Sequence, residues 1–157
     1  MPTPYHEIFG YLGVTAAMGS AATPSQQAAN ALIKTQYASN GSPATLTGTF
    51  ATLALISPPA PFAAGQKIVL VVAVSADVTP GSSGQLVVQV IEDGSPVAGP
   101  VTNSIPADGT GASCAFTIEL SPIAGTHVFA VQAKGTGDAT FTVAAHNGAI
   151  QGSVVSV

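Results

Sequence analysis

The chain has 157 residues, 46% of them hydrophobic but only 6% charged: three lysines, seven acidic residues and no arginine, for a net charge of −4. Without a guanidinium and with an acidic balance, a phosphate-binding surface for nucleic acid is excluded. The apolar content excludes a chain held unfolded by low hydrophobicity and high net charge.

The length suits one domain, with roughly two-thirds of the chain's surface removed from water on folding. The start, Met1-Pro-Thr-Pro-Tyr-His-Glu, has neither a basic region nor a long apolar core, so no signal peptide is expected. The most apolar windows, Leu53–Ile56 and Ile68–Val74, fall far short of the ~20 residues a membrane-spanning helix needs. No membrane partner is expected. Asn40-Gly-Ser is a formal glycosylation sequon, of little meaning without a secretory route.

Composition shifts near residue 43. Residues 1–42 hold every tyrosine and both methionines and read as an N-terminal arm; residues 43–157 read as a β-domain. Within the arm, Thr23-Pro24-Ser25 can start a short helix over residues 24–37, with Ala29, Ile33 and Tyr37 on one face. A strand with Ala31, Ile33, Thr35 and Tyr37 alternating competes closely. Tyr5, Ile8, Phe9, Tyr11 and Leu12 give the first residues much apolar surface for a tail. They suit an extended segment that orders against a partner, where the plain alternative is a frayed terminus.

From Pro43 onward, eight strands are expected: Thr45–Ile56, Lys67–Ala76, Gln85–Glu92, Pro96–Ile105, Ala112–Leu120, His127–Lys134, Ala139–Ala145 and Ala149–Val157. Turn chemistry separates them, including Ser57-Pro-Pro-Ala-Pro, Asp93-Gly94, Gly135-Thr-Gly-Asp and Asn147-Gly148. Short strands with no helix between them make the fold class all-β, an antiparallel sandwich, and eight strands suit a jelly roll. Asp93-Gly94 signals a type I′ hairpin that sets Ile91 opposite Pro96 and Val90 opposite Val97. Pro96 and Pro100 cannot donate to a ladder, so their strand belongs at a sheet edge. A second hairpin at Gly135–Asp138 would set Phe129 opposite Ala144 and His127 opposite His146. Neither face of that hairpin carries charge, and Ile68-Val-Leu-Val-Val-Ala-Val is equally two-sided. Such strands suit a sandwich whose outer side meets another subunit, which points to a homo-oligomer.

The chemistry-bearing residues are sparse. Glu92 and Asp93 are adjacent, and adjacent strand residues point to opposite faces, so they read as the start of a turn. No His-Glu-x-x-His, Cys-x-x-Cys or phosphate-loop pattern occurs, and no Gly-x-Ser-x-Gly elbow supports a triad built from a histidine, Asp138 and a serine. The chain is not expected to be an enzyme. His127 and His146, paired across the hairpin, could ligate zinc or nickel or act as a pH switch. The plainer alternative is two polar residues at a sheet end. No cofactor is expected, and Cys114 reads as a small buried hydrophobe. Carbohydrate binding lacks its usual aromatic platforms, since tryptophan is absent and the tyrosines all lie in the arm.

Ile118-Glu-Leu-Ser-Pro-Ile-Ala-Gly-Thr-His-Val-Phe-Ala-Val-Gln-Ala-Lys, followed by Gly135-Thr-Gly-Asp-Ala-Thr-Phe-Thr-Val, resembles the closing strands of trimeric jelly-roll virion proteins of tailed bacteriophages. The same pattern is similar to the tumour-necrosis-factor/C1q-like sandwich. The resemblance covers roughly residues 110–157, and the chain departs from it by an insertion at Ile123-Ala124. It implies a non-catalytic homotrimer on the capsid surface of a virion. There it would act as a decoration (cement) protein whose arm residues Tyr5, Ile8, Phe9, Tyr11 and Leu12 contact the major capsid protein. A receptor- or glycan-binding module of a tail fibre or adhesin, using loops Pro80–Gly84 and Pro106–Gly111, is the alternative.

Overall fold

A computed structural model describes residues 35–105 and 109–155. Ten strands form two antiparallel sheets: β1 (Thr35–Ser39), β2 (Ala44–Leu46), β3 (Ala51–Ile56), β4 (Lys67–Val78), β5 (Gly84–Glu92), β6 (Ser95–Ile105), β7 (Gly111–Leu120), β8 (Phe129–Gly137), β9 (Phe141–Val143) and β10 (Gly148–Val155). Among the described residues there is no helix.

The first sheet joins β1 to β10, β10 and β9 to β4, β4 to β7, and β9 to β2. The second runs β3-β8-β5-β6. β1 and β2 form one strand line broken at residues 40–43, and β9 and β10 form its partner line, broken at 144–147. Counting each line once gives eight strands. The first then pairs with the eighth, the second with the seventh, the third with the sixth and the fourth with the fifth. That nesting is a long hairpin rolled over on itself, the jelly roll the strand count suggested.

The elements follow the alternation of the sequence. In β4, Ile68, Leu70, Val72 and Val74 are fully buried, while Val71 and Ala73 face outward and are exposed. Leu86, Val88 and Val90 of β5 and Phe129 and Val131 of β8 line the core from the second sheet, and Ile150 of β10 lies beside Val72 in the first. Cys114 is buried, and burial pushes its thiol up in pKa, as suits a hydrophobe rather than a nucleophile.

The Asp93-Gly94 turn has φ of 49° and 87°, the type I′ signature. Ile91 faces Pro96 as expected, but Val90 faces Ala98 rather than Val97, because a bulge shifts the register. β6 lies at the sheet edge, where its prolines leave no ladder bond unmade.

Three expectations are corrected. Thr45–Ile56 is two strands in different sheets, with Thr47–Phe50 turning the corner between them. Residues 35–39 form β1 on β10, so the competing strand reading holds for residues 35–37 and the sheet begins ahead of residue 43. The remainder of the 24–37 helix lies outside the described residues, as do Tyr5, Ile8, Phe9, Tyr11 and Leu12. Finally, Gly135–Asp138 does not close a hairpin. β8 pairs β3 and β5, and the chain then crosses to the other sheet as β9. Gly-Thr-Gly-Asp chemistry serves a crossover as well as a hairpin, and two-sided apolar strands leave the register unmarked.

Candidate functional site

The crossover separates the two histidines. His146 lies in the break between β9 and β10, exposed, at φ 68°, with Nδ1 3.0 Å from the Ser39 hydroxyl. His127 precedes β8 in the other sheet and is only 7% exposed. The expected cross-strand pair therefore does not form, and no shared metal or pH switch can be built on it.

His127 instead meets the two carboxylates that strand alternation had placed on opposite faces. Its Nδ1 lies 2.7 Å from Asp93 Oδ2 and 2.9 Å from Glu92 Oε1. Alternation holds only while the backbone stays extended. At Asp93 the left-handed φ of the I′ turn swings its side chain back beside Glu92. The Asp-Gly dipeptide thus holds the signal for this convergence, which strand alternation alone does not show.

The other ring nitrogen and the other Asp93 oxygen are occupied as well. His127 Nε2 lies 2.9 Å from the Ile123 carbonyl, and Val128 N–H donates to Asp93 Oδ1 at 2.9 Å. The Phe62 ring meets the imidazole edge-on at 5.7 Å between centroids. Phe62 is itself held by paired backbone bonds to Gly125. The cluster therefore clasps three connections at one end of the sandwich: residues 57–66, the 93–94 turn and residues 121–128. A carbonyl and two carboxylates only accept hydrogen bonds, so both ring nitrogens donate and the site fits an imidazolium.

The pKa directions agree. Burial opposes the charged ring most strongly. The Ile123 carbonyl, the Asp93 hydrogen bond and the Glu92 and Asp93 charges overcome it and raise the His127 pKa. The Val128 N–H, then His127, lower that of Asp93. A raised histidine contributes stability that is complete below its ordinary value of about 6.5 and is lost as pH rises through the folded value. A depressed aspartate contributes above its ordinary value of about 3.9 and loses its share as pH falls through the folded value. Urea midpoints of metal-free protein should therefore be highest between about pH 4 and 6.5 and decline toward pH 8. His127→Gln should flatten the alkaline decline; an unchanged decline in that variant would place its origin elsewhere.

The outward face of the first sheet is the other feature of note. Paired residues share a face, so three rows cross it: Thr35, Ser153, Val69 and Glu119; Tyr37, Gln151, Val71 and Thr117; Ser39, Ala149, Ala73 and Ala115. Tyr37 is 63% exposed and Val71 46%. The charges on this face are Lys67 and Glu119, joined in a 2.5 Å surface ion pair at one end, and Asp77 at the other. The second sheet is more polar outside, where Gln89 donates to Gln132, and Gln132 to Thr52.

No family model matches the chain, and no curated protein does. Among solved structures, one of infectious bursal disease virus, Gt strain, aligns with 79% of this chain at 14% identity and TM-score 0.43. The Gx strain aligns over 79% at 15% identity and TM-score 0.40. The chain spans 33% and 32% of those two chains. A structure described as "CBM4 structure and function" aligns over 78% of this chain and 79% of that one, at 15% identity and TM-score 0.21.

Proposed function

We propose that the chain is a non-enzymatic structural protein of a virion. It acts as a capsid decoration protein that assembles as a homotrimer and bridges capsid subunits. The observation that carries the reading is the outward face of the first sheet, exposed and uncharged in its middle, with Tyr37 and Val71 displayed there and its charges at the two ends. Four strands at ~4.8 Å spacing and eight steps of ~3.4 Å make this face roughly 19 by 27 Å. At about 500 Å² this is roughly two-thirds of the ~800 Å² per partner of a standard interface. A free monomer with 6% charge would also have little electrostatic defence against association. The jelly-roll order supports the reading as one of the architectures of capsid domains, though it also serves lectins. Binding would act by mass action, since a ligand of the assembled shell alone stabilises that shell.

The test has two arms. By light scattering at micromolar concentration the full chain should be trimeric, and Val71→Glu should give a folded monomer; a monomeric parent would overturn the trimer. Deletion of residues 1–22 should abolish decoration of purified capsids, and unchanged affinity would overturn the role of the arm. Saturable glycan binding at the loops near Pro80–Gly84, without binding to capsids, would favour the adhesin alternative.

A further inference from the structure

We propose that Glu92, Asp93 and His127 form a binding site for a first-row divalent cation of the Zn²⁺ type, independently of how the chain assembles. One ligating atom from each lies within 4.8 Å of the other two. Metal–nitrogen and metal–oxygen bonds of about 2.0–2.2 Å set donor atoms roughly 3.0–3.5 Å apart around a shared ion. His127 Nδ1 stands 2.7 and 2.9 Å from the two carboxylates, so an entering ion need part them by less than about 1 Å.

The surroundings that hold the ion pair also suit a ligand set. A metal-bound histidine commonly donates its other N–H to a carbonyl, which fixes the ring and its tautomer. Ile123 supplies that carbonyl to Nε2 at 2.9 Å, from outside the three ligands. Asp93 is oriented likewise, its second oxygen taken by Val128 N–H. Phe62 holds the ring from the side. A groove of about 330 Å³, lined by Glu92, Asp93, Ser95, Ser121, Pro122 and His127 among others, opens onto the cluster. It gives an ion a route in and room for the waters that complete its shell.

One imidazole with two carboxylates selects a borderline cation over Mg²⁺ or Ca²⁺, which take oxygen ligands. On binding, the Nδ1 proton leaves to solvent and the dication meets two carboxylate charges. The ion would tie the 93–94 turn to residues 121–128 more firmly than the proton does.

The experiment is Zn²⁺ titration of chelator-treated full chain, read by native mass spectrometry and by melting temperature, with Mg²⁺ as the comparison. Co²⁺ serves as an optical reporter of a nitrogen-containing shell. One ion per chain is expected, with a rise in melting temperature that Mg²⁺ does not give. Glu92→Gln, whose carboxylate makes no backbone bond in the cluster, should leave the metal-free fold intact and weaken Zn²⁺ binding about 10–100-fold. His127→Gln should abolish the Co²⁺ signal. No saturable binding below about 1 mM would overturn the site, as would binding that Glu92→Gln and His127→Gln leave unchanged, since the ion would then sit elsewhere.

Discussion

Phe141→Ala should lower the stability of the domain by about 4 kcal/mol, measured as the shift in urea midpoint at constant slope. Phe141 is fully buried, faces Leu46 and Val78 in the ladder, and stands where β8 crosses into β9. Two glycines make room for its ring. A methyl added at Gly135 would lie 2.5 Å from Phe141 Cδ2; one at Gly84 would meet the Thr136 carbonyl first, with Phe141 Cε2 3.2 Å away. Gly135→Ala should therefore cost about 1–3 kcal/mol by overpacking, because neither the buried ring nor the paired strands around it can withdraw. Clash and cavity are the same volume seen from two sides. The double variant Gly135→Ala with Phe141→Leu should thus cost less than the two single changes together, by about 1 kcal/mol or more. Strict additivity would show that the glycine is required for backbone reasons unconnected with the ring. Ile123→Ala, at a side chain 79% exposed, should move the midpoint little and serves as the control.

Where one physical signal dominated, the sequence was readable. The β4 alternation fixed which residues enter the core, because slipping it by one would turn Ile68, Leu70, Val72 and Val74 to solvent. Asp93-Gly94 fixed a hairpin, because few other dipeptides adopt two successive positive φ values cheaply. What failed was everything that depends on a strand changing sheets. Apart from β5 and β6, most strands adjacent in sequence lie in different sheets or in different segments of one strand line. A corner such as Thr47-Gly-Thr keeps the local polarity pattern while changing the partner. For the same reason His127 and His146 do not pair: β8 and β9 lie in different sheets. The cluster around His127 is legible in part: Glu92-Asp93-Gly94 holds both carboxylates and the turn that unites them. The arrival of Ile123, Val128 and Phe62 at the same point depends on the sheet order, which no local pattern encodes.

The least legible element was Asn40, and its replacement by Ala should destabilise the domain by about 3 kcal/mol. As a sequon residue it would be displayed to solvent, yet it is only 5% exposed. It sits where both halves of a paired strand line break at once, β1 from β2 and β9 from β10. Breaking a ladder at a buried position leaves donors and acceptors that must find partners. Asn40 supplies them. Its N–H donates to Gly148 O at 2.9 Å, and its carbonyl accepts from His146 N–H at 2.8 Å. Its side-chain oxygen accepts from Gly148 N–H at 2.8 Å, and its amide nitrogen donates to the carbonyls of Ser42 and Ala144 at 2.9 Å each. Alanine keeps the backbone bonds and removes the other three. The Gly148 amide is then left buried without a partner, at about 1–3 kcal/mol, and two carbonyls lose a donor. Asn40→Asp separates this account from one of shape alone. The carboxylate still accepts from Gly148, but it turns an acceptor toward the carbonyls of Ser42 and Ala144, where its ionised form is penalised by burial and by their dipoles. Its folded pKa is therefore raised, and the variant should be less stable than the parent at neutral pH and recover as pH falls below about 5. Urea midpoints of Asn40→Ala and Asn40→Asp between pH 4 and pH 8 read both effects, and a pH-independent loss in the aspartate variant would refute the hydrogen-bond account of this break.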